Sequence, residues 1–472
     1  MLKLGQLLLG FSFILILTAC AAQPAVSPTA VPTAPAASPT SIPPTVPAPT
    51  PESAPASIAV AEKMLAQFVK QDFAGMIANF DAAMTAALPQ DKLKQAWDGV
   101  KAQFGAYQST TDKQFLAHKD TFDVILLTVN FEKGPLGFRV SIDTTSGKIG
   151  GLQFVPVNSA SSTSYTAPAY VDQAQFEEKD VTIGTGEWQL PGTLTLPKGT
   201  GPFTAIVLVH GSGPNDRDET IGPNKPFKDL AWGLASQGIA VLRYDKRTKV
   251  YAEELANVQN FTVKEESIDD AVAAVELLRQ TPNIDPKRIF VAGHSLGGYL
   301  APRIAQADTN IAGLIILAGA TRPLEDAMLE QVQYIASLSG SSVPTSTVTE
   351  LKTQVDAVKA LKPGDESKPP ILNIPVSYWL DLQNYRPTEL ASQLTLPMLI
   401  LQGERDYQVT MVDFQNWQTA LSSHSNVRFK SYPDLYHLFI SGTGKSTPAE
   451  YQQPGHVAKS VVDDIAAWVK SK

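Results

Sequence analysis

The chain has 472 residues, about two to three typical domains' worth, so more than one folding unit is expected. Hydrophobic residues make up 43% and charged residues 18%, the balance of a chain that buries a core. A formal net charge of −8 argues against nucleic acid or anionic lipid as the main partner, since either would want a basic surface.

Residues 1–20 open with Lys3, run apolar from Leu7 to Leu17 and close on Leu17-Thr18-Ala19-Cys20. The apolar run is shorter than the ~20 residues of a bilayer span, so it reads as a signal peptide rather than a transmembrane helix. Its ending resembles the bacterial lipobox, whose cysteine becomes the lipid-modified first residue of the mature protein. By that resemblance Cys20 is the lipidation site, and the mature chain is extracytoplasmic and membrane-anchored through more than one acyl chain, as stable attachment requires. Cys20 is also the sole cysteine, which excludes an intramolecular disulfide and a thiol nucleophile in the folded body. Residues 21–57 are almost entirely Pro, Ala, Ser, Thr and Val, with Glu52 the only charge, and predict a semi-extended tether.

Residues 58–157 predict a small α+β domain. Met64, Leu65, Phe68 and Val69 have helical spacing, and three strand-like runs follow at Val124–Phe131, Leu136–Ile142 and Lys148–Val155. It resembles the domains of unknown function, shaped like nuclear transport factor, that precede hydrolase domains in some bacterial esterases. No residue in it forms a chemical constellation, so a spacer or binding module is expected.

From Phe176 to the C-terminus (176–472), strands alternate with helical segments, the pattern of an α/β fold with a mostly parallel sheet. Continuous apolar runs mark buried strands at Ala205–Val209, Ile239–Leu242, Ile289–Ala292, Leu314–Leu317 and Met398–Leu401. A long insertion at 322–396 separates the last two.

Gly293-His294-Ser295-Leu296-Gly297-Gly298 follows one of these strands and precedes a helical run. This is the G-x-S-x-G nucleophile elbow, where small residues let strand and helix pass closely while a strained turn exposes the serine hydroxyl. His210-Gly211-Ser212-Gly213-Pro214 ends an earlier strand. A tetrahedral intermediate needs two backbone donors, and the Leu296 and Ser212 N–H groups are the choice for this oxyanion hole, with Gly213 the alternative to Ser212. The His210 side chain is expected to brace its loop rather than carry protons.

The acid and base should follow in the order Ser, Asp or Glu, His. Asp406 stands in Gly403-Glu404-Arg405-Asp406 after the strand Met398–Leu401, with Glu404 its competitor. His437 follows the strand-like run Val427–Tyr432, whereas His424 precedes that run and His456 lies near the terminal helix. Ser295, Asp406 and His437 are therefore the expected triad.

The charged run Asn215–Thr220 and Arg243-Tyr244-Asp245-Lys246-Arg247 completes the picture, with Arg243 and Asp245 expected to tie loops beside the sheet. From His210 to Arg247 the chain resembles bacterial serine esterases of the dienelactone-hydrolase and acetyl-esterase neighbourhood. The resemblance implies an α/β-hydrolase fold with a lid at 322–396, a small-molecule ester as substrate, short acyl chains and no cofactor. No metal set and no phosphate or dinucleotide loop is visible. Two rivals share the pattern, a peptidase of the prolyl-oligopeptidase clan and a non-catalytic surface binding protein of hydrolase shape.

Overall fold

The computed structural model describes residues 54–472 apart from 120, 156–164, 256, 257, 259, 340 and 342. Cys20 and nearly all of the tether lie outside the described residues. The chain divides into two compact units, one ending at Val157 and one beginning at Asn158.

In the first unit, helices α1 (Ala54–Val69), α2 (Phe73–Ile77), α3 (Ala82–Ala87) and α4 (Gln90–Phe104) precede a sheet. Its strands β1 (Tyr107–Lys119), β2 (Phe122–Phe131), β3 (Gly134–Asp143) and β4 (Ile149–Val155) lie antiparallel in sequential order. Along β2 every second residue is buried, as one covered sheet face requires. Ile125, Leu127, Val129 and Phe131 form that face with Phe68 of α1 and Trp97 of α4, whose rings lie 5.4 Å apart.

Two features differ from expectation. Helix α1 begins at Ala54, and Ser57 Oγ donates to the buried Asp123 carboxylate at 2.5 Å, so residues 54–57 belong to the domain rather than the tether. Strand β1 was not foreseen, because it is a polar edge strand with scarcely any buried face to impose apolar alternation.

The second unit begins earlier than residue 176. Tyr165 donates to Asp229 and Tyr170 to the Val457 carbonyl, fixing the segment that leads into the first strand. An eight-stranded sheet runs β12-β11-β10-β9-β7-β8-β6-β5. Its strands are β5 (Phe176–Ile183), β6 (Leu190–Pro197), β7 (Phe203–Val209), β8 (Ala240–Tyr244), β9 (Ile284–His294), β10 (Gly313–Leu317), β11 (Met398–Gly403) and β12 (Val427–Tyr432). Strand β6 is antiparallel to both neighbours and every other pair is parallel. This is the α/β-hydrolase fold. The apolar runs in β7 to β11 are buried throughout, as strands covered on both faces must be.

Helices α5 (Pro226–Ala235), α6 (Arg247–Val250), α7 (Ala252–Leu255), α8 (Asp269–Gln280) and α9 (Leu296–Ala307) connect the earlier strands. The insertion between β10 and β11 supplies α10 (Leu324–Ser337), α11 (Thr345–Lys359), α12 (Val376–Leu382) and α13 (Pro387–Ser392). Helices α14 (Met411–Ala420) and α15 (Lys459–Lys470) complete the unit. The insertion's apolar residues divide: Met328, Tyr378 and Trp379 enter the main core, while Tyr334 and Ile335 pack on a smaller cluster of Tyr407, Tyr436, Leu438, Ile440 and Tyr451.

The chain leaves β7 for β8 on one side and returns to β9 on the other. In a sheet of this kind such a reversal opens a crevice at the carboxyl ends of the flanking strands. The loops after β7, β9, β11 and β12 all leave from that edge.

Candidate active site

Strand β9 ends at His294 and α9 begins at Leu296, so Ser295 alone makes the turn, with φ 53° and ψ −112°. A left-handed conformation of this kind costs about 1–3 kcal/mol and persists only where its surroundings impose it. Here the Ser295 N–H donates to the Leu317 carbonyl at 2.9 Å, and the glycines around it permit contacts that no side chain could share. A Cβ on Gly293 would lie 2.2 Å from the Gly297 carbonyl oxygen, one on Gly297 2.3 Å from the Val209 oxygen, and one on Gly298 2.9 Å from Gly319 Cα. The Ser295 side chain is left half-buried at the head of α9, beside the Leu296 N–H, which as the first helical residue has no partner within the helix.

The loop after β7 runs alongside. A Cβ on Gly211 would stand 3.2 Å from that of Ser295, which places Gly211 next to Ser295. His210 is buried between Phe227 and Tyr244, with ring centroids 5.1 and 5.2 Å away, and its Nε2 donates to the Asp216 carbonyl at 3.0 Å. It braces the loop.

After β11 and β12, Asp406 and His437 meet. His437 Nδ1 donates to Asp406 Oδ2 at 2.6 Å, and both residues are buried. The Gln408 and Val409 N–H groups donate to Asp406 Oδ1 at 2.8 and 3.1 Å, while Gln402 Nε2 donates to Oδ2 at 3.2 Å. With Nδ1–H committed to the carboxylate, Nε2 is the basic nitrogen. Glu404 is exposed and accepts from Ser431 Oγ at 2.7 Å, away from the imidazole. His424 precedes β12, and His456 Nδ1 is engaged by Asp229 at 3.0 Å. Among the described residues Ser295 Oγ makes no hydrogen bond to His437; such bonds often tighten only when substrate is bound.

Three further residues link these loops and were not singled out in the sequence. His294 Nε2 donates to the His437 carbonyl at 3.0 Å, its ring centroid is 4.6 Å from that of His437, and its Nδ1 lies 2.9 Å from Glu219 Oε2. Burial would raise the Glu219 carboxyl, but His294 and His210 outweigh it and hold it below its usual value. Burial would lower His294, but Glu219 outweighs it and raises it. The third, Lys246, donates from Nζ to the Gly211 carbonyl at 2.8 Å. Its signal was positional, a charged residue just past the carboxyl end of a buried strand. Arg243 pairs with Asp218 and Glu178, and Asp245 with Arg217 at 2.9 Å, tying loops beside the sheet.

Residues 202–443 match the family model described as serine aminopeptidase, S33, which spans half of the chain. The chain belongs to this family. Residues 61–152 match a second model, a protein of unknown function designated DUF3887. Esterase EstD of Thermotoga maritima is 42% identical over 399 residues, covering 83% of this chain and 92% of that protein. The uncharacterized peptidase YuxL of Bacillus subtilis is 23% identical, covering 58% of this chain and 36% of YuxL. A solved esterase of Pyrococcus furiosus has a TM-score of 0.41 and 18% identity, covering 63% of this chain and 91% of that one. Among the described residues of this hydrolase, no group of three or more His, Cys, Asp and Glu could hold a metal ion.

The buried His210 supplies a pH test. Burial pushes it down to about 4, reinforced by Lys246 and opposed by Glu219 and Asp216, whereas the unfolded chain titrates near 6.5. Between these values the unfolded state takes up a proton that the native state does not, so stability is lost as pH falls through the window, on the order of 3 kcal/mol in full. Urea midpoints of the wild type and His210→Gln between pH 7 and 4 check this. The variant keeps an N–H donor but cannot titrate, and its acid limb should be shallower by up to one proton; parallel limbs would contradict it.

Proposed function

We propose that this chain is a serine hydrolase of small-molecule carboxylic esters, working through an acyl-enzyme on Ser295. The observation that carries the reading is the buried Asp406–His437 pair at the sheet edge where Ser295 is held in its strained turn. Ser295 Oγ attacks the ester carbonyl while His437 Nε2 takes its proton. The oxyanion is held by the Leu296 and Ser212 N–H groups, the first aided by the positive end of α9. On collapse the C–O bond breaks and His437 returns the proton to the leaving alkoxide. Water, deprotonated by the same imidazole, then releases the acid and restores Ser295. Asp406 holds the tautomer in both halves.

Ester rather than peptide is supported by the 42% identity to Esterase EstD over nearly its whole length, against a short, distant match to YuxL. The domain preceding the hydrolase is a small four-stranded α+β unit rather than a propeller. A non-catalytic binding protein would have no use for a strained serine at the same sheet edge as a carboxylate-paired histidine. Short acyl substrates fit the insertion, whose Met328, Tyr378 and Trp379 are already consumed in the core and cannot line a long acyl channel. The chain's place is extracytoplasmic, on a lipid anchor at Cys20.

Ser295→Ala should abolish turnover of p-nitrophenyl butyrate and labelling by a fluorophosphonate with circular dichroism unchanged. Asp406→Asn should lower kcat by roughly 10⁴-fold through the wrong tautomer, whereas Glu404→Gln should be near neutral; the reverse ranking would move the acid role to Glu404. Across p-nitrophenyl acetate to palmitate, kcat/KM should peak at about two to four carbons, since each buried methylene adds up to ~0.8 kcal/mol only until the pocket is full. A maximum at long chains would indicate a lipase. Cys20→Ser in the full precursor should shift the protein out of the detergent phase on partitioning, and unchanged recovery would count against the anchor.

A further inference from the structure

Gly211 is held at both of its backbone polar groups, one on each of the peptides that flank it. The Gly211 N–H donates to Glu219 Oε1 at 2.7 Å, and the Gly211 carbonyl accepts from Lys246 Nζ at 2.8 Å and Asn215 Nδ2 at 3.2 Å. Lys246 is fully buried, and its ammonium also meets Glu266 Oε1 at 2.5 Å. Glu266 stands in a single π-helical turn, Lys264–Ile268, at the head of α8, and its other oxygen accepts from the Tyr378 hydroxyl at 2.7 Å. Tyr378 belongs to α12 of the insertion, so a chain of contacts from three distant segments ends, through Lys246, on one carbonyl of the loop.

A buried ion pair is a poor source of stability, since apolar residues of the same volume serve as well or better, and what it contributes here is orientation. A trans peptide is planar, and its C=O and N–H point in opposite directions. Fixing the Gly211 oxygen on Lys246 therefore directs the Ser212 N–H away from the lysine. Among the described residues no acceptor takes that N–H, and Gly211 beside it abuts Ser295. The ammonium also draws electron density through the peptide and strengthens its N–H as a donor.

We propose that Lys246 is a positioning residue for the reaction, an ammonium held by Glu266, which in turn accepts from the insertion's Tyr378, and that it aims and polarises the Ser212 N–H toward the oxyanion. The proposal rests on the reading of Ser295 as nucleophile and Ser212 as oxyanion donor.

The test uses the full chain and compares wild type, Lys246→Met, Tyr378→Phe and Ser295→Ala with p-nitrophenyl butyrate. Inhibition by phenylboronic acid, which forms a tetrahedral serine adduct, is measured alongside. Loss of a whole oxyanion donor lowers kcat about 10²- to 10³-fold, so misaiming one should cost Lys246→Met about 10- to 100-fold in kcat with KM within about twofold. Boronate affinity should fall in step with kcat/KM. Tyr378→Phe removes one hydroxyl and no charge, and should lose about three- to tenfold in kcat; it reads the same relay if Lys246→Met is not recovered folded. Folded Lys246→Met or Tyr378→Phe with wild-type kcat, or a loss confined to KM with boronate affinity intact, overturns the proposal. Turnover surviving in Ser295→Ala would instead overturn the nucleophile assignment beneath it.

Discussion

Everything at this site depends on how closely the first turn of α9 approaches the ends of β7 and β10. The approach is one of backbone against backbone, with Gly297 facing Val209 and Gly298 facing Gly319, and it leaves no room for a single methyl group. Once that contact is made, the turn at Ser295 has one geometry open to it, and its strain is borne by the packing of a whole helix. The same contact brings the loop after β7 beside the serine, so the positions of Ser295 and of Gly211 are set by one packing event. Close-packed interiors relax little, which is why a constraint so local can hold a high-energy rotation in place.

Around this contact the protein uses buried charge as scaffolding. Glu219 and His294 join the loop after β7 to the elbow and, through the His437 carbonyl, to the loop after β12. Arg243 and Arg217 tie the outer parts of the same region. A hydrogen bond is worth little net, but a buried group left without its partner is expensive, so each of these contacts penalises departure from the arrangement more than it rewards arrival. The result is a set of loops with the definition normally reserved for strands and helices.

What could be read from the sequence follows the same physics. Strands β7 to β11 are visible because burial on both faces demands unbroken apolar runs, and the elbow is visible because its glycines have no substitute. Asp406 and His437 could be assigned to loops at one edge of the sheet because strand ends locate such loops, and the two side chains do meet there. Glu219 could not, since the run Asn215–Thr220 looks like a solvated loop and only the fold buries one of its carboxylates. The relay of Lys246, Glu266 and Tyr378 is assembled from segments far apart in the chain, and no local pattern signals it. Strand β1 was hidden for the opposite reason, being an edge whose residues answer to solvent. The start of the hydrolase unit was placed late because Tyr165 and Tyr170 anchor it through hydroxyls rather than through an apolar stripe.

The strand order also governs how the enzyme comes into being. Strands β11 and β12 complete one side of the sheet from sequence beyond Met398, and the loops that follow them carry the Asp406–His437 pair. The bond from Tyr170 to Val457 closes a span of 287 residues, and Asn224 reaches forward to the Tyr451 carbonyl. Contacts of such high order form late, because the entropy of closing a long loop must be met before they contribute. In a chain growing from its N-terminus, Ser295 is therefore in place before Asp406 and His437 exist to pair, and the cluster of loops at the sheet edge is completed only by the last quarter of the sequence.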